Sequence, residues 1–121
     1  MLNELTVTEV AARLARGETT SRAVTEACLQ RIQQVDPGLH AFISYDPAHA
    51  LAQADAADQA LASGTTHTQQ PLLGVPIGIK DVLAVKGQPL NCGSKILGKF
   101  ISPYDATAIA RLRAAGAVIF G

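Results

Sequence analysis

The sequence predicts an α/β fold, because strand-like segments alternate with segments that have the pattern of amphipathic helices. One strand-like segment, residues 72–81, carries branched aliphatic side chains on one face and almost no side chains on the other. Another, residues 117–120, is a continuous apolar run, which is typical of a parallel strand covered on both faces. The order strand, helix, strand, helix, strand therefore favours an α/β architecture.

Two amphipathic helices are predicted near the amino terminus. The first begins at Thr6, which forms a capping box with Glu9, and stops at Gly17. The second begins at residue 20 or 21, and we expect Asp36-Pro37-Gly38 to end it. Their apolar residues recur at helical spacing: Val7, Val10, Ala11 and Leu14, then Val24, Cys28, Ile32 and Val35. Such helices are structural by default.

A short strand is predicted at residues 41–45, followed by a third helix. Asp46 is its expected N-cap and Pro47 its first residue. Gly64 is the expected stop. The polar stretch 65–71 is the one linker-like segment, and it is too short to separate two domains.

A long loop is predicted beyond the 72–81 strand, at residues 81–97, with a short strand around residues 82–85. Gly87, Pro89 and Gly93 prevent long regular elements there. Long loops in compact domains are often functional. A last helix is expected with Asp105 as its cap and Gly116 as its end.

Composition limits the possible functions. The 121 residues suit one domain, and 48% of them are hydrophobic, which is enough for a core. The formal net charge of +0 predicts no basic face that could hold a nucleic acid by itself. No apolar run reaches the roughly 20 residues of a membrane span. The first residues lack the pattern of a secretory signal, so a cytoplasmic location is the default expectation.

The cysteines and histidines predict no disulfide framework and no metal site. Cys28 lies in the apolar phase of a helix, where we expect a buried structural thiol, and Cys92 lies in a loop. His40, His49 and His67 lack metal-ligand spacing, so solvated or hydrogen-bonded histidines are expected. No cofactor site is therefore predicted in this chain.

Lys80 is the candidate catalytic residue. It stands at the carboxyl end of the 72–81 strand, on the face whose other members are Gly74, Pro76 and Gly78. Glycine in a strand marks close approach by another backbone or a ligand, and ligands of open α/β sheets bind beyond the carboxyl ends of strands. On composition alone a surface lysine that ends a buried strand is the simpler interpretation. The motifs around Lys80 reverse that preference.

These motifs resemble the amino-terminal part of amidase-signature enzymes. They are Gly74-Val75-Pro76-Ile77-Gly78-Ile79-Lys80-Asp81, Lys86-Gly87 and Cys92-Gly93-Ser94-Lys95-Ile96-Leu97. Two later blocks, residues 102–107 and 112–121, resemble one branch of that family most closely. That branch is the amidase subunit of tRNA-dependent amidotransferases. The chain departs from the family pattern at Val82 and at Leu90-Asn91, which are loop positions.

The resemblance implies a mixed sheet core with helices on both faces, of which residues 1–121 would be an incomplete amino-terminal part of a single domain. It also implies a nucleophilic serine, a second serine on a cis peptide and a lysine base, and Lys80 matches that lysine. The two serines are expected beyond residue 121, and Ser94 matches neither. A lysine base must be neutral, so we expect desolvated surroundings for Lys80. Neighbouring Asp81 is expected to anchor the loop.

As the resemblance implies, the enzyme would hydrolyse glutamine and pass ammonia to a partner subunit of a heterotrimeric amidotransferase. That partner would use ATP and Mg²⁺ to convert mischarged Glu-tRNA(Gln). This chain alone would be inactive. Residues 118–120 would be an uncovered apolar strand, which predicts poor solubility. Two alternatives stay open: a stand-alone amidase that acts on small amides, and a non-catalytic α/β interaction module.

Overall fold

A parallel pair of short strands lies between helices in the computed structural model, which describes residues 1–121. The elements in chain order are a 3-10 turn (Leu2–Glu4), α1 (Val7–Ala15), α2 (Ser21–Leu39), α3 (Pro47–Ala62), β1 (Pro76–Ile77), α4 (Thr107–Ala114) and β2 (Val118–Ile119). In the register of the pair, Pro76 lies opposite Val118 and Ile77 opposite Ile119. The predicted α/β class is confirmed.

Helices cover both faces of the strand pair. On one face, Val118 and Phe120 pack against α2 and α3, through Leu29, Ile32, Ala50 and Ala54. On the other, Ala117 and Ile119 pack with Val85 and with Ile109 of α4. The alternation follows from the period of two along a strand. The apolar run at 117–120 is therefore a parallel strand buried on both sides, as predicted.

The expected exposure of residues 118–120 is wrong. Val118, Ile119 and Phe120 are at most 4% exposed. The outer edge of β2 is also covered, because the Gln53 side chain accepts a hydrogen bond from Ile119 N–H and donates one to Ile119 C=O, both at 2.9 Å. An amide side chain thus replaces a neighbouring strand at that edge, which removes the stated reason to expect poor solubility.

The starts of α1, α2 and α3 are as predicted. The Thr6 hydroxyl accepts from Glu9 N–H, and the Glu9 carboxylate accepts from Thr6 N–H at 2.8 Å, which completes the capping box. Asp46 caps α3 by accepting from His49 N–H at 3.0 Å, with Pro47 in the first turn. These are contacts over three residues, so the residue spacing alone predicts them.

The predicted end of α2 is wrong. The helix runs through Pro37 and ends at Leu39, with His40 in the left-handed conformation at φ 54°. Near the end of a helix a proline removes one backbone bond only. The Asp36 carboxylate accepts from the N–H groups of Ala41 and Phe42, which ties the last turn to the segment that follows.

Two predicted strands are absent. Residues 41–45 bend at Ile43 and form no backbone ladder. At residues 82–85 the chain turns and bends at Val82 and Leu83, whose N–H groups both donate to the Lys80 carbonyl, and residues 84–85 have no regular structure. Strand propensity needs a neighbouring strand to be realised, and neither segment has one among these residues. The long loop at residues 81–97 is as predicted.

Asp105 does not cap α4, contrary to prediction. The N-cap is Ala106, without a side-chain bond. Asp105 instead accepts from Lys86 N–H at 2.8 Å and from Arg113 Nε at 2.9 Å. Asp105 therefore ties the loop to the last turn of α4.

We expect Asp105→Asn to lower the free energy of unfolding at neutral pH by about 1–2 kcal/mol. The bond from Lys86 N–H, and then the Arg113 guanidinium, hold the pKa of Asp105 below its ordinary 3.8. A depressed folded-state pKa gives stability that is present above the unfolded-state value and lost as pH falls below about 4. The difference between wild type and variant should therefore shrink between pH 7 and pH 2, measured by chemical denaturation. An undiminished difference at pH 2 would contradict this, and Arg113→Gln provides the second leg of a double-mutant cycle.

None of the helices combines the length and the apolar content that crossing a membrane requires.

Candidate active site

The carboxyl ends of β1 and β2 bring Lys80 beside Gly121. Phe120 N–H donates to Ile77 C=O at 3.0 Å, and Ile79 N–H donates to Gly121 C=O at 2.8 Å. The parallel pairing therefore continues past both strands to the residue before Lys80. Since both strands run in the same direction, whatever lies beyond their carboxyl ends meets at one edge of the sheet.

A cleft of about 350 Å³ opens at this edge. It is lined by residues 41–44, by residues 78–81, by part of the loop at 83–89 and by Gly121. Lys80 supplies its one cationic side chain. A concave site with few polar groups at the carboxyl end of a parallel pair is the expected place for a ligand. The structure thus places the sequence-predicted Lys80 in a cleft.

Lys80 is exposed, contrary to the desolvated surroundings expected from the sequence. No side chain among these residues forms a salt bridge with its ammonium group. Residues 1–121 therefore supply the position of the lysine but not the burial that would favour its neutral form.

The predicted strand at residues 72–81 is wrong for most of its length, because residues 71–74 form a turn and only Pro76–Ile77 is strand. The two glycines expected on its bare face therefore have different explanations. Gly74 is buried at φ +77°, and a Cβ there would lie 2.9 Å from the Cβ of Ser21. Ser21 Oγ donates to the Gly74 carbonyl at 2.8 Å. At Gly78 a Cβ would only touch the Phe42 ring, at 3.8 Å. The gap at Gly74 therefore admits helix α2 and not a ligand, whereas Gly78 is exposed and lines the cleft.

Asp81 anchors the loop, as predicted. Its Oδ1 accepts a hydrogen bond from Asn91 N–H at 3.1 Å. Its Oδ2 is sealed from solvent and has no hydrogen-bond partner. Asp81 thus connects the lysine-bearing segment to the turn at residues 91–94.

The cleft wall at residues 41–44 was not identified as part of the site by the sequence. A Cβ on Gly121 would lie 2.6 Å from the carbonyl oxygen of Ser44, so the end of β2 passes directly against this wall. The rings of Phe42, Tyr45 and Phe120 pack together, with Tyr45 and Phe120 stacked at 6.4 Å between centroids. Aromatic residues make up only 4% of the chain, and this scarcity was the one sequence signal that could have drawn attention to Phe42 and Tyr45.

No nucleophile is paired with a base among the residues that line the cleft. Ser44 is the one hydroxyl residue that lines the cleft, and its side chain makes no hydrogen bond. Ser94 and Cys92 do not line the cleft. A base and a nucleophile must lie within hydrogen-bond reach of each other for covalent catalysis. The arrangement offers a positioned lysine and a ligand-sized space.

The cysteines and His67 lie elsewhere. Cys28 is half-buried in α2, and burial raises the pKa of its thiol, which keeps it protonated. Cys92 is exposed in its turn. His67 Nε2 lies 3.0 Å from the Leu73 carbonyl oxygen, so this histidine is hydrogen-bonded, as expected.

Comparison with known proteins identifies relatives over nearly the whole chain. The family model described as amidase matches residues 23–121. The A subunit of the glutamyl-tRNA(Gln) amidotransferase of Desulfotalea psychrophila is 51% identical over 118 residues, which are 98% of this chain and 24% of that protein. The protein of the same name from Roseiflexus sp. is 48% identical over 121 residues, 100% of this chain and 24% of that protein. The chain thus spans about a quarter of the length of these relatives.

Solved structures share the fold. The peptide amidase of Stenotrophomonas maltophilia matches with a TM-score of 0.88 and 36% identity, over 98% of this chain and 24% of that one. A fatty acid amide hydrolase matches with a TM-score of 0.90 and 25% identity, over 98% of this chain and 21% of that one.

Proposed function

The chain belongs to the amidase family, and from that premise we propose that it is the amino-terminal part of a glutamine-hydrolysing amidase subunit of a tRNA-dependent amidotransferase. The observation that carries the proposal is the position of Lys80 in a cleft at the carboxyl end of a parallel strand pair, next to Gly121. Because Gly121 lies at this edge, residues that follow it in a longer chain would enter the site beside Lys80.

Lys80 would act as the general base. A neutral lysine takes the proton of the nucleophilic serine, through a bridging serine, as the serine oxygen attacks the carboxamide carbon of glutamine. The same proton then passes to the departing ammonia, and water hydrolyses the acyl-enzyme to glutamate. The residues that complete the enzyme would have to cover Lys80, since burial disfavours its charged form.

The ammonia would be used by a partner subunit. We assign ATP and Mg²⁺ to that subunit, where they would activate the carboxylate of a mischarged Glu-tRNA(Gln). No step assigned to this chain uses either one. The complex would be a heterotrimer in the cytoplasm, and the tRNA would be held by the assembly and not by this chain, whose formal net charge is +0.

A stand-alone amidase is the competing proposal, and the identities favour the amidotransferase. The two amidotransferase relatives described above are 51% and 48% identical to this chain, whereas the peptide amidase is 36% identical. Co-purification separates the two proposals. An amidotransferase component is expected to be recovered with two partner subunits, whereas recovery of an active amidase alone would favour the competitor.

We expect the 121-residue chain by itself to release no glutamate from glutamine, because a base without a paired nucleophile cannot form an acyl-enzyme. The measurement is glutamate release by purified chain, with Lys80→Ala as the control for contaminating activity. Turnover that disappears in the Lys80→Ala variant would show that a nucleophile within these residues has been overlooked.

A further inference from the structure

Two aspartates flank the loop at residues 82–104, and the carboxylate of each accepts a hydrogen bond from a backbone N–H of the loop. Asp81 accepts from Asn91 N–H at 3.1 Å, and Asp105 accepts from Lys86 N–H at 2.8 Å. They differ in location, because Asp81 lines the cleft and Asp105 does not. They differ also in whether both carboxylate oxygens have a hydrogen-bond partner. Both oxygens of Asp105 accept hydrogen bonds, whereas Oδ2 of Asp81 is sealed from solvent without a partner.

The unpaired oxygen indicates that Asp81 is not there for stability. A buried acceptor left unsatisfied costs about 1–3 kcal/mol, which offsets the gain from the bond at Oδ1. Departures of this kind from the rules of stable packing concentrate at functional sites. Asp81 therefore contributes a fixed geometry more than it contributes free energy of folding.

The turn that Asp81 holds is itself well ordered. Ser94 N–H donates to Asn91 C=O at 2.8 Å, and Asn91 Oδ1 accepts from Gly93 N–H at 2.9 Å. Cys92 and Gly93 both have positive φ, at 51° and 70°. The turn is thus held together by its own hydrogen bonds, and the Asp81 carboxylate connects it to the lysine-bearing segment by accepting from Asn91 N–H.

The loop between Asp81 and Asn91 forms a wall of the cleft. Leu83, Val85, Gln88 and Pro89 all line it. The segment begins at Asp81, directly after Lys80, and the bond to Asn91 closes it from the far side. Backbone hydrogen bonds to residues 100–106 hold the wall itself, among them Gly87 N–H to Ser102 C=O at 2.8 Å and Leu90 N–H to Phe100 C=O at 3.0 Å. If the Asp81–Asn91 bond is broken, the turn at residues 91–94 therefore loses its tie to the lysine-bearing segment, and the wall keeps its own bonds.

We propose that Asp81 is a positioning residue, which sets the place of the Asn91–Ser94 turn relative to Lys80. It acts through the turn and does not touch the reacting atoms. The catalytic meaning of this role rests on the proposed function, but the coupling between Asp81, the turn and Lys80 is a property of the chain alone.

The coupling can be measured on the chain itself by NMR. In Asp81→Ala, amide hydrogen exchange at Asn91 should become about tenfold faster, as expected for the loss of one hydrogen bond. The side-chain resonances of Lys80 should shift in the same variant. Asp81→Asn keeps an oxygen that can accept from Asn91 N–H, so it should restore slow exchange and most of the Lys80 signal position.

Asp105→Ala is the matched control, because it removes a carboxylate that accepts a loop N–H outside the cleft. It should lower the free energy of unfolding and leave Asn91 exchange and the Lys80 resonances unchanged. Unchanged exchange in Asp81→Ala, or an equal response to Asp105→Ala, would overturn the positioning role. Since no activity is measured, that failure is distinct from failure of the proposed glutaminase function, which is tested by measuring amidation in the assembled enzyme.

Discussion

Replacing Lys80 by alanine or by arginine is expected to remove nearly all glutamine-dependent amidation in the assembled amidotransferase and to spare amidation from free ammonium. General base catalysis contributes typically about 10²–10⁴-fold, so the glutamine-dependent rate should fall by that order. Ammonium-dependent transfer bypasses the hydrolytic site and should stay within about twofold of wild type. Both rates are measured in parallel for wild type, Lys80→Ala and Lys80→Arg.

The arginine variant separates two roles for Lys80. A guanidinium keeps the positive charge but does not release its proton in a protein, so it cannot serve as a base. If Lys80 only held a negative substrate group, arginine would keep much of the activity. Substantial glutamine-dependent turnover in Lys80→Arg would therefore refute the base assignment. Loss of both activities would indicate a structural role, which the exposure of Lys80 makes less expected.

Gly116→Ala is expected to have the largest effect on stability, about 2–5 kcal/mol. Gly116 lies at φ +87°, where a side chain costs about 1–2 kcal/mol. A Cβ there would also lie 2.7 Å from the backbone Cα of Leu73, and overpacking of this kind typically adds about 1–3 kcal/mol. Gly116 C=O accepts from Gly74 N–H at 3.0 Å, so the clash would separate the segments that lead into β1 and β2.

Gly17→Ala is the matched control for this effect. Gly17 has a similar backbone conformation, at φ +67°, but nothing lies within 4 Å of the position its Cβ would take. Alanine there should cost about 1–2 kcal/mol, from backbone strain alone. Chemical denaturation gives the loss in free energy of unfolding for each variant, and the difference between the two losses is the cost of the contact with Leu73. Equal losses at the two positions would show that the contact with Leu73 relaxes without cost.

The elements that depend on neighbours within one helical turn could be predicted from the sequence. The capping box of Thr6 and Glu9 and the start of α3 at Asp46 are of this kind, because the partners are three residues apart. The apolar run at 117–120 predicted a parallel strand buried on both sides, and the period of two explains why. The strand motif also singled out Lys80, which the structure places in the cleft.

The elements that depend on distant partners could not be predicted. Gly74 needs to be small because of Ser21, which is 53 positions away, and the edge of β2 is satisfied by Gln53, which is 66 positions away. Asp105, a plausible cap by spacing, is used by Lys86 and Arg113 instead.

The sequence by itself determined the α/β class, the family and the candidate lysine, since these follow from periodicity and from motifs contiguous along the chain. Only the tertiary structure decided that Lys80 lies beside Gly121, that it is exposed among these residues, and that Asp81 connects it to the turn at 91–94. The physical reason is that side-chain spacing encodes contacts within a turn or along a strand. Which distant groups meet depends on how the elements pack, and the spacing carries no information about that.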